Sequence, residues 1–251
     1  IDVAAESNHA GGTVEIVGDK SITLTAGSEI NANGSGAGNG GVVNVIADGV
    51  LAVQRDSDIN AIAGASGTKG GAVEVSGHSG LKLHGDITVG ADGDILIDPM
   101  FLHLSAGTML QSSGHGMSDA VGTQWIEGQL DVGANVTLRA TDEINAAAGG
   151  TAIVSLGSGA LTLQISTGGF RGGTPDPIGN INLAGFEIDI NGSFAALAGF
   201  TSGNVNLGKV SARNVVIAAG ASGGNVTLNT GGITSKDGDI SVEALAGAIT
   251  I

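Results

Sequence analysis

Three near-copies of one short pattern constrain this chain more than any other feature. Gly11-Gly12-Thr13-Val14-Glu15-Ile16 recurs as Gly40-Gly41-Val42-Val43-Asn44-Val45 and as Gly70-Gly71-Ala72-Val73-Glu74-Val75, at steps of 29 and 30 residues. A fixed period of this size means that one supersecondary unit is stacked on copies of itself. Each unit packs only on its neighbours, so the length of 251 residues does not set a number of globular domains. A stack offers long sides rather than a central cleft, which favours holding and binding over catalysis.

Within the first unit Val14 and Ile16 alternate with Thr13 and Glu15, the period of a strand with one apolar face. Ile22 and Leu24 follow, then Ile30. The same offsets place Leu51, Val53 and Ile59 in the second unit and Leu81, Leu83 and Val89 in the third. Glycine-rich loops, residues 33–39 and 64–69, close the first two units. Three short strands per unit with inward Val, Ile and Leu predict an all-β parallel β-helix, a solenoid with three short strands per coil. About ten coils at about 4.8 Å each would give a rod near 50 Å long. Helix signals are poor, because Gly, Asn and Thr interrupt each window. Stacked antiparallel sandwiches would repeat at about 100 residues instead.

Composition agrees. There are 46 Gly but only 5 Phe, 1 Trp and no Tyr, a supply of side chains that suits a narrow layered interior. The apolar content argues against disorder. Ser28-Glu29-Ile30-Asn31-Ala32, Ser57-Asp58-Ile59-Asn60-Ala61 and Asp142-Glu143-Ile144-Asn145-Ala146 are related corners, where stacked asparagines can form ladders. Residues 1–99 read as regular coils and 100–130 as an excursion or irregular coil. Residues 131–251 read as coils again, shorter toward the end, with a second excursion at 168–180. Phe186, Phe194 and Phe200 lie near one another after it and read as an interior stack.

Net charge is −15, from 24 acidic and 9 basic residues. Such a surface repels nucleic acid and anionic lipid, so neither is an expected partner. There is no cysteine and hence no disulfide framework. No segment approaches the roughly 18 apolar residues of a membrane helix. The chain opens and stops in mid-pattern, at Ile1-Asp2-Val3 and Ala248-Ile249-Thr250-Ile251, which reads as a segment of a longer solenoid.

Several groups carry side chains suited to chemistry. Glu187 and Asp189 flank Ile188, which puts both carboxylates on the outer face about 7 Å apart. That spacing suits acid/base cleavage of a sugar polymer, although no basic or aromatic cluster accompanies it in sequence. Asp92, Asp94, Asp98, Asp237 and Asp239 could offer oxygens to calcium, but the tandem Gly-Gly-x-Gly-x-Asp pattern is missing. His9, His78, His84, His103 and His115 have no metal-ligand spacing. Thr23-Leu24-Thr25 is too isolated for the Thr ranks of an ice-binding face. No cofactor, metal site or catalytic residue is therefore expected. The excursions are the better binding candidates, because interruptions of a solenoid map to loops on one face. His115, Trp125, Phe170 and Arg171 are the expected ligand-contacting residues, within 105–128 and 168–180. Trp125 is the single tryptophan and either anchors a ligand or covers a coil interior.

The glycine-led repeats and Ser-Glu-Ile-Asn-Ala corners resemble the filamentous-haemagglutinin-like exoproteins of bacterial two-partner secretion. Gly93-Asp94-Ile95-Leu96-Ile97-Asp98-Pro99 is similar to their Leu-Ile-Asp-Pro motif, and Ala134-Asn135-Val136-Thr137-Leu138-Arg139-Ala140-Thr141-Asp142-Glu143-Ile144 to the sequence that follows it there. The resemblance implies a right-handed parallel β-helix, export through an outer-membrane partner, and display or release at the cell surface. The family's Asn-Pro-Asn secretion motifs are not in this sequence, which implies a shaft segment. The expected function is that of an extracellular adhesin segment serving attachment or biofilm cohesion, with a host or bacterial surface glycan or protein as receptor. The alternatives are a polysaccharide-cleaving β-helix enzyme and a pure spacer shaft.

Overall fold

Short strands with one apolar face cannot bury it alone, and here they bury it against one another around a common interior. The computed structural model describes residues 1–106, 111–112, 118–146, 152–165, 179–199, 201–229 and 231–251. Nine strands, from Thr13–Gly18 to Ile240–Glu243, form one parallel sheet along the whole length. Val14 pairs with Val43, Val43 with Val73, and Val73 with Ile95, so each apolar file continues from coil to coil. Nine strands at about 4.8 Å span about 40 Å. This is shorter than the sequence reading gives, because single coils run as long as the 41 residues between Asp94 and its partner Asn135.

The second face begins with Ile22–Leu24, Val50–Val53 and Gly80–Leu83. It resumes with Phe101–Ser105, Glu143–Ala146, Asn180–Leu183, Val205–Leu207, Val226–Leu228 and Ile249–Thr250. The third face has Glu29–Asn31, Asp58–Asn60 and Asp86–Thr88, then Ala152–Ser155, Glu187–Ile190, Val210–Ala212 and Ile233–Ser235. The parallel β-helix is thus as the repeats predict, with one correction of register. Ile59 pairs with Ile87, not with Val89, because the corner His84-Gly85 of the third unit is two residues shorter than Gln54-Arg55-Asp56-Ser57.

The interior is Val, Ile, Leu and Ala, nearly all fully buried. Phe186 and Phe194 belong to it, and Phe194 is seated in file between Leu161 and Val215; Phe200 lies outside the described residues. The paired glycines are explained by crowding where a coil closes. Gly41 N–H donates to Ala32 O at 2.7 Å. A β-carbon on Gly40 would stand 2.0 Å from Ala61 O of the next coil. Only a residue without a side chain lets the two backbones come this close.

Corners lie outside the strand ladders, so their N–H groups need other acceptors. Asparagine side chains supply them across coils. Asn33 Oδ1 accepts from Ile62 N at 2.6 Å, Asn135 Oδ1 from Ala160 N at 3.1 Å, and Asn214 Oδ1 from Asp239 N at 3.1 Å. True ladders run through the last coils: Asn204 Nδ2 donates to Asn180 Oδ1 at 2.9 Å and Asn225 Nδ2 to Asn204 Oδ1 at 3.3 Å. Asn31 and Asn60 are in register as the repeats suggest, but Asn31 Oδ1 instead accepts from Asn33 N two residues on.

The excursion at 100–130 is built into the stack where it is described. Phe101–Ser105 pairs in parallel on both edges, with Glu143–Ala146 and with Ser118–Gly122. The latter strand also pairs antiparallel with Gln111–Ser112, and both pack beside Gly80–Leu83. A helix, Thr123–Asp131, follows. The sequence reading missed it because its apolar stripe is only Ile126 and Leu130, one turn apart, with Trp125 beside them. It lies between the two runs of third-face strands. Gln129 Nε2 donates to Ile87 O at 3.3 Å on one side, and Glu127 Oε1 accepts from Val154 N at 2.8 Å on the other. Asp131 Oδ1 accepts from Ser155 Oγ at 2.7 Å, Leu156 N at 3.0 Å and Gly157 N at 3.3 Å. A helix offers no backbone ladder to the strand Ala152–Ser155, and these two carboxylates, four residues apart, take its place.

Two alanine substitutions should separate crowded from open glycines. Gly40→Ala should destabilise the fold by about 1–3 kcal/mol through overpacking. Gly128→Ala, in the helix with nothing within 4 Å of the new carbon, should stabilise it by roughly 0.5–1 kcal/mol. Urea unfolding of both variants checks the pair; equal effects would contradict the packing described.

Candidate functional site

Of the four residues expected to contact a ligand, His115, Phe170 and Arg171 lie outside the described residues, as does most of 168–180. Trp125 is on the helix, half-buried and packed against the core. Its position on a helix that fills a coil accounts for much of its surface, the covering role weighed from the sequence.

The segments 93–99 and 134–144 meet in the structure. Asp98 lies on the outer side of the first face, yet its residue is only 4% exposed. Arg139, in the strand Asn135–Ala140, donates to Asp98 Oδ2 from Nε at 2.9 Å and from Nη2 at 2.7 Å. Glu74 Oε1 lies 3.5 Å from the same guanidinium and accepts from Ser76 Oγ at 2.8 Å. Burial pushes the Asp98 carboxyl above its usual value, against the pull of Arg139. Asp94 is held by Lys69 Nζ at 3.2 Å and Asn135 Nδ2 at 3.0 Å. These aspartates therefore tie coils together. Among the described residues no three His, Asp or Glu side chains converge as metal ligands.

Glu187 and Asp189 do share the outer side of the third face, as alternation requires. Their neighbours could not be read from the sequence. Lys209, from the next coil, lies 2.6 Å from Glu187 Oε1, and Lys236, two coils on, lies 2.6 Å from Asp189 Oδ1. The Lys236 hydrogen bond holds the Asp189 carboxyl below the usual carboxylate range, outweighing the opposing effect of burial. The Glu187 hydrogen bond raises the Lys209 ammonium. General-acid catalysis of glycoside cleavage needs one carboxyl whose pKa is raised, and Asp189 is shifted the other way.

One corner of the β-helix carries a groove. Ser155 pairs with Ile190, Asp189 with Ser211, and Ala212 with Ser235. The residues that follow these strands, Leu156, Asn191, Arg213 and Lys236, consequently form one file down the corner. With Gly157, Ser158 and Asp237 they line an open cleft of about 240 Å³. Leu156 is 82% exposed. Asn191 is fixed, donating from Nδ2 to Leu156 O at 2.9 Å and accepting from Lys236 Nζ at 3.0 Å. Among the described residues no carboxylate is in ion-pair contact with the exposed Arg213 guanidinium. The sequence reading missed this file, because its members are 35, 22 and 23 residues apart and share no pattern. The one available signal was their position directly after the third strand of each coil.

No protein-family model, no curated protein and no solved structure matches this chain.

The carboxylate environments set an acid response. Asp131 is held below the ordinary value chiefly by Ser155 Oγ, and Asp189 by Lys236. A lowered folded-state pKa gives stability that is full above the ordinary value and lost as pH falls through the lowered one. Asp98 is raised, so it acts in the reverse sense over the interval above the ordinary value. Urea midpoints should therefore fall as the pH is lowered below the ordinary carboxylate value of 3.8, and Asp131→Asn should flatten part of that fall. An unchanged profile in Asp131→Asn would remove Asp131 from this account.

Proposed function

We propose that this chain is a shaft segment of an extracellular bacterial adhesin, displayed or released at the cell surface and serving attachment or biofilm cohesion. The observation that carries this reading is the single nine-stranded parallel sheet, which passes the inserted strands and helix without a break. A stack of this kind holds its sides rigid and in register over its length, as a spacer that also presents binding surfaces must. The charge of −15 suits a soluble surface rod. The resemblance to two-partner-secretion exoproteins adds export through an outer-membrane transporter. The receptor is then a surface glycan or protein, met at the excursions or at the corner groove.

The test is binding of the purified chain to a glycan array and to whole bacterial and host cells, with Trp125→Ala and Arg171→Ala alongside. Saturable binding, weakened about five- to tenfold or more in a variant that remains folded by circular dichroism, is the result expected if that residue is an anchor. A well-folded chain that binds no surface would overturn the adhesive reading in favour of the spacer.

A further inference from the structure

We infer that the corner groove binds a linear acidic saccharide, with one sugar carboxylate seated on Arg213. Its place in biology rests on the adhesive reading above; the binding chemistry stands on the groove alone. Arg213 is exposed and, among the described residues, has no carboxylate in ion-pair contact, and its planar fork of donors matches the two oxygens of a carboxylate. Lys236 spends two donors on Asp189 and Asn191, and an ammonium has three. Leu156 stands two places along the same file and offers a bare apolar surface, against which the C–H face of a sugar ring can pack. Ser158 and Asn191 add a hydroxyl and an amide at the walls.

Shape and charge select the ligand further. Four stacked corners at about 4.8 Å spacing make a strip about 14 Å long, the reach of a short linear oligomer rather than of one small ion. The groove runs down a corner and not along an open strand edge, so it offers no backbone ladder to an extended peptide. Asp237 in the lining and Asp189 behind Lys236 offset the charges of Arg213 and Lys236, so the groove has no net charge and its attraction for an anion is confined to the Arg213 fork. A singly charged carboxylate is tolerated there, whereas closely spaced sulfates would meet both acids.

Calorimetric titration with trigalacturonate, neutral galactotriose, a sulfated trisaccharide and triglutamate tests this on the purified chain. Trigalacturonate should bind best. Arg213→Ala should weaken it at least about tenfold with an unchanged unfolding midpoint, and Arg213→Lys should restore it only in part. Asp237→Asn, which removes a like charge without touching the corner backbone, should tighten it. Equal binding of galactotriose, of the sulfated trisaccharide or of triglutamate, no binding of trigalacturonate, or an Arg213→Ala variant that binds as well as the parent would each overturn the proposal. Should Arg213→Ala unfold, Leu156→Ala and Asp237→Asn carry the decision, by loss and gain of affinity. Trigalacturonate binding without binding to any cell surface would sink the adhesin reading and leave the groove assignment standing; the reverse result would do the opposite.

Discussion

The whole structure depends on how closely one coil can lie on the next. Parallel pairing fixes the separation at about 4.8 Å, and every other contact has to be made at that distance. The nine-stranded sheet meets it with backbone hydrogen bonds and unbroken apolar files, Val, Ile and Leu except for Phe194 and Ala196 in one coil. Where the chain turns there is no ladder, and the distance becomes a problem of crowding and of unpaired N–H groups. Gly40 relieves the first, since even one carbon there would collide with Ala61 O. Asn33, Asn135 and Asn214 relieve the second by accepting from the next coil. The glycine and asparagine content that looks like loop composition is in large part corner chemistry.

The same spacing governs charge. Side chains at equivalent places in neighbouring coils stand close together, so like charges would repel and opposite ones pair. Asp98 with Arg139, Asp94 with Lys69, and Glu187 with Lys209 are all pairs between coils. Four of the nine bases, Lys69, Arg139, Lys209 and Lys236, sit against acids in this way, whereas the exposed Glu29, Asp58 and Asp86 stack in register on the third face. Among the described residues Arg213 has no carboxylate in ion-pair contact; it stands in a file with Leu156, Asn191 and Lys236, available to something outside the chain.

The helix Thr123–Asp131 shows what the scaffold tolerates. It occupies the third face between Ile87 O and the strand Ala152–Ser155, and its own backbone bonds leave nothing to offer a neighbouring strand. Glu127 and Asp131 make good the deficit. Insertions can therefore enter such a stack if they bring acceptors for the edge they cover.

The sequence by itself determined the parallel β-helix, three strands to a coil, and the inward files from Val14 to Val75. Those follow from a period of two inside a period near thirty, and both are local. It also put Glu187 and Asp189 on one outer face. It did not reveal that Ile87 rather than Val89 completes its file, because corner length is set by packing. Nor could it reveal that Glu187 and Asp189 are neutralised by lysines 22 and 47 residues away, or that Leu156, Asn191, Arg213 and Lys236 form one groove. Which corner residues become neighbours depends on the summed lengths of all loops between them. That sum is fixed only when the coils have closed and stacked.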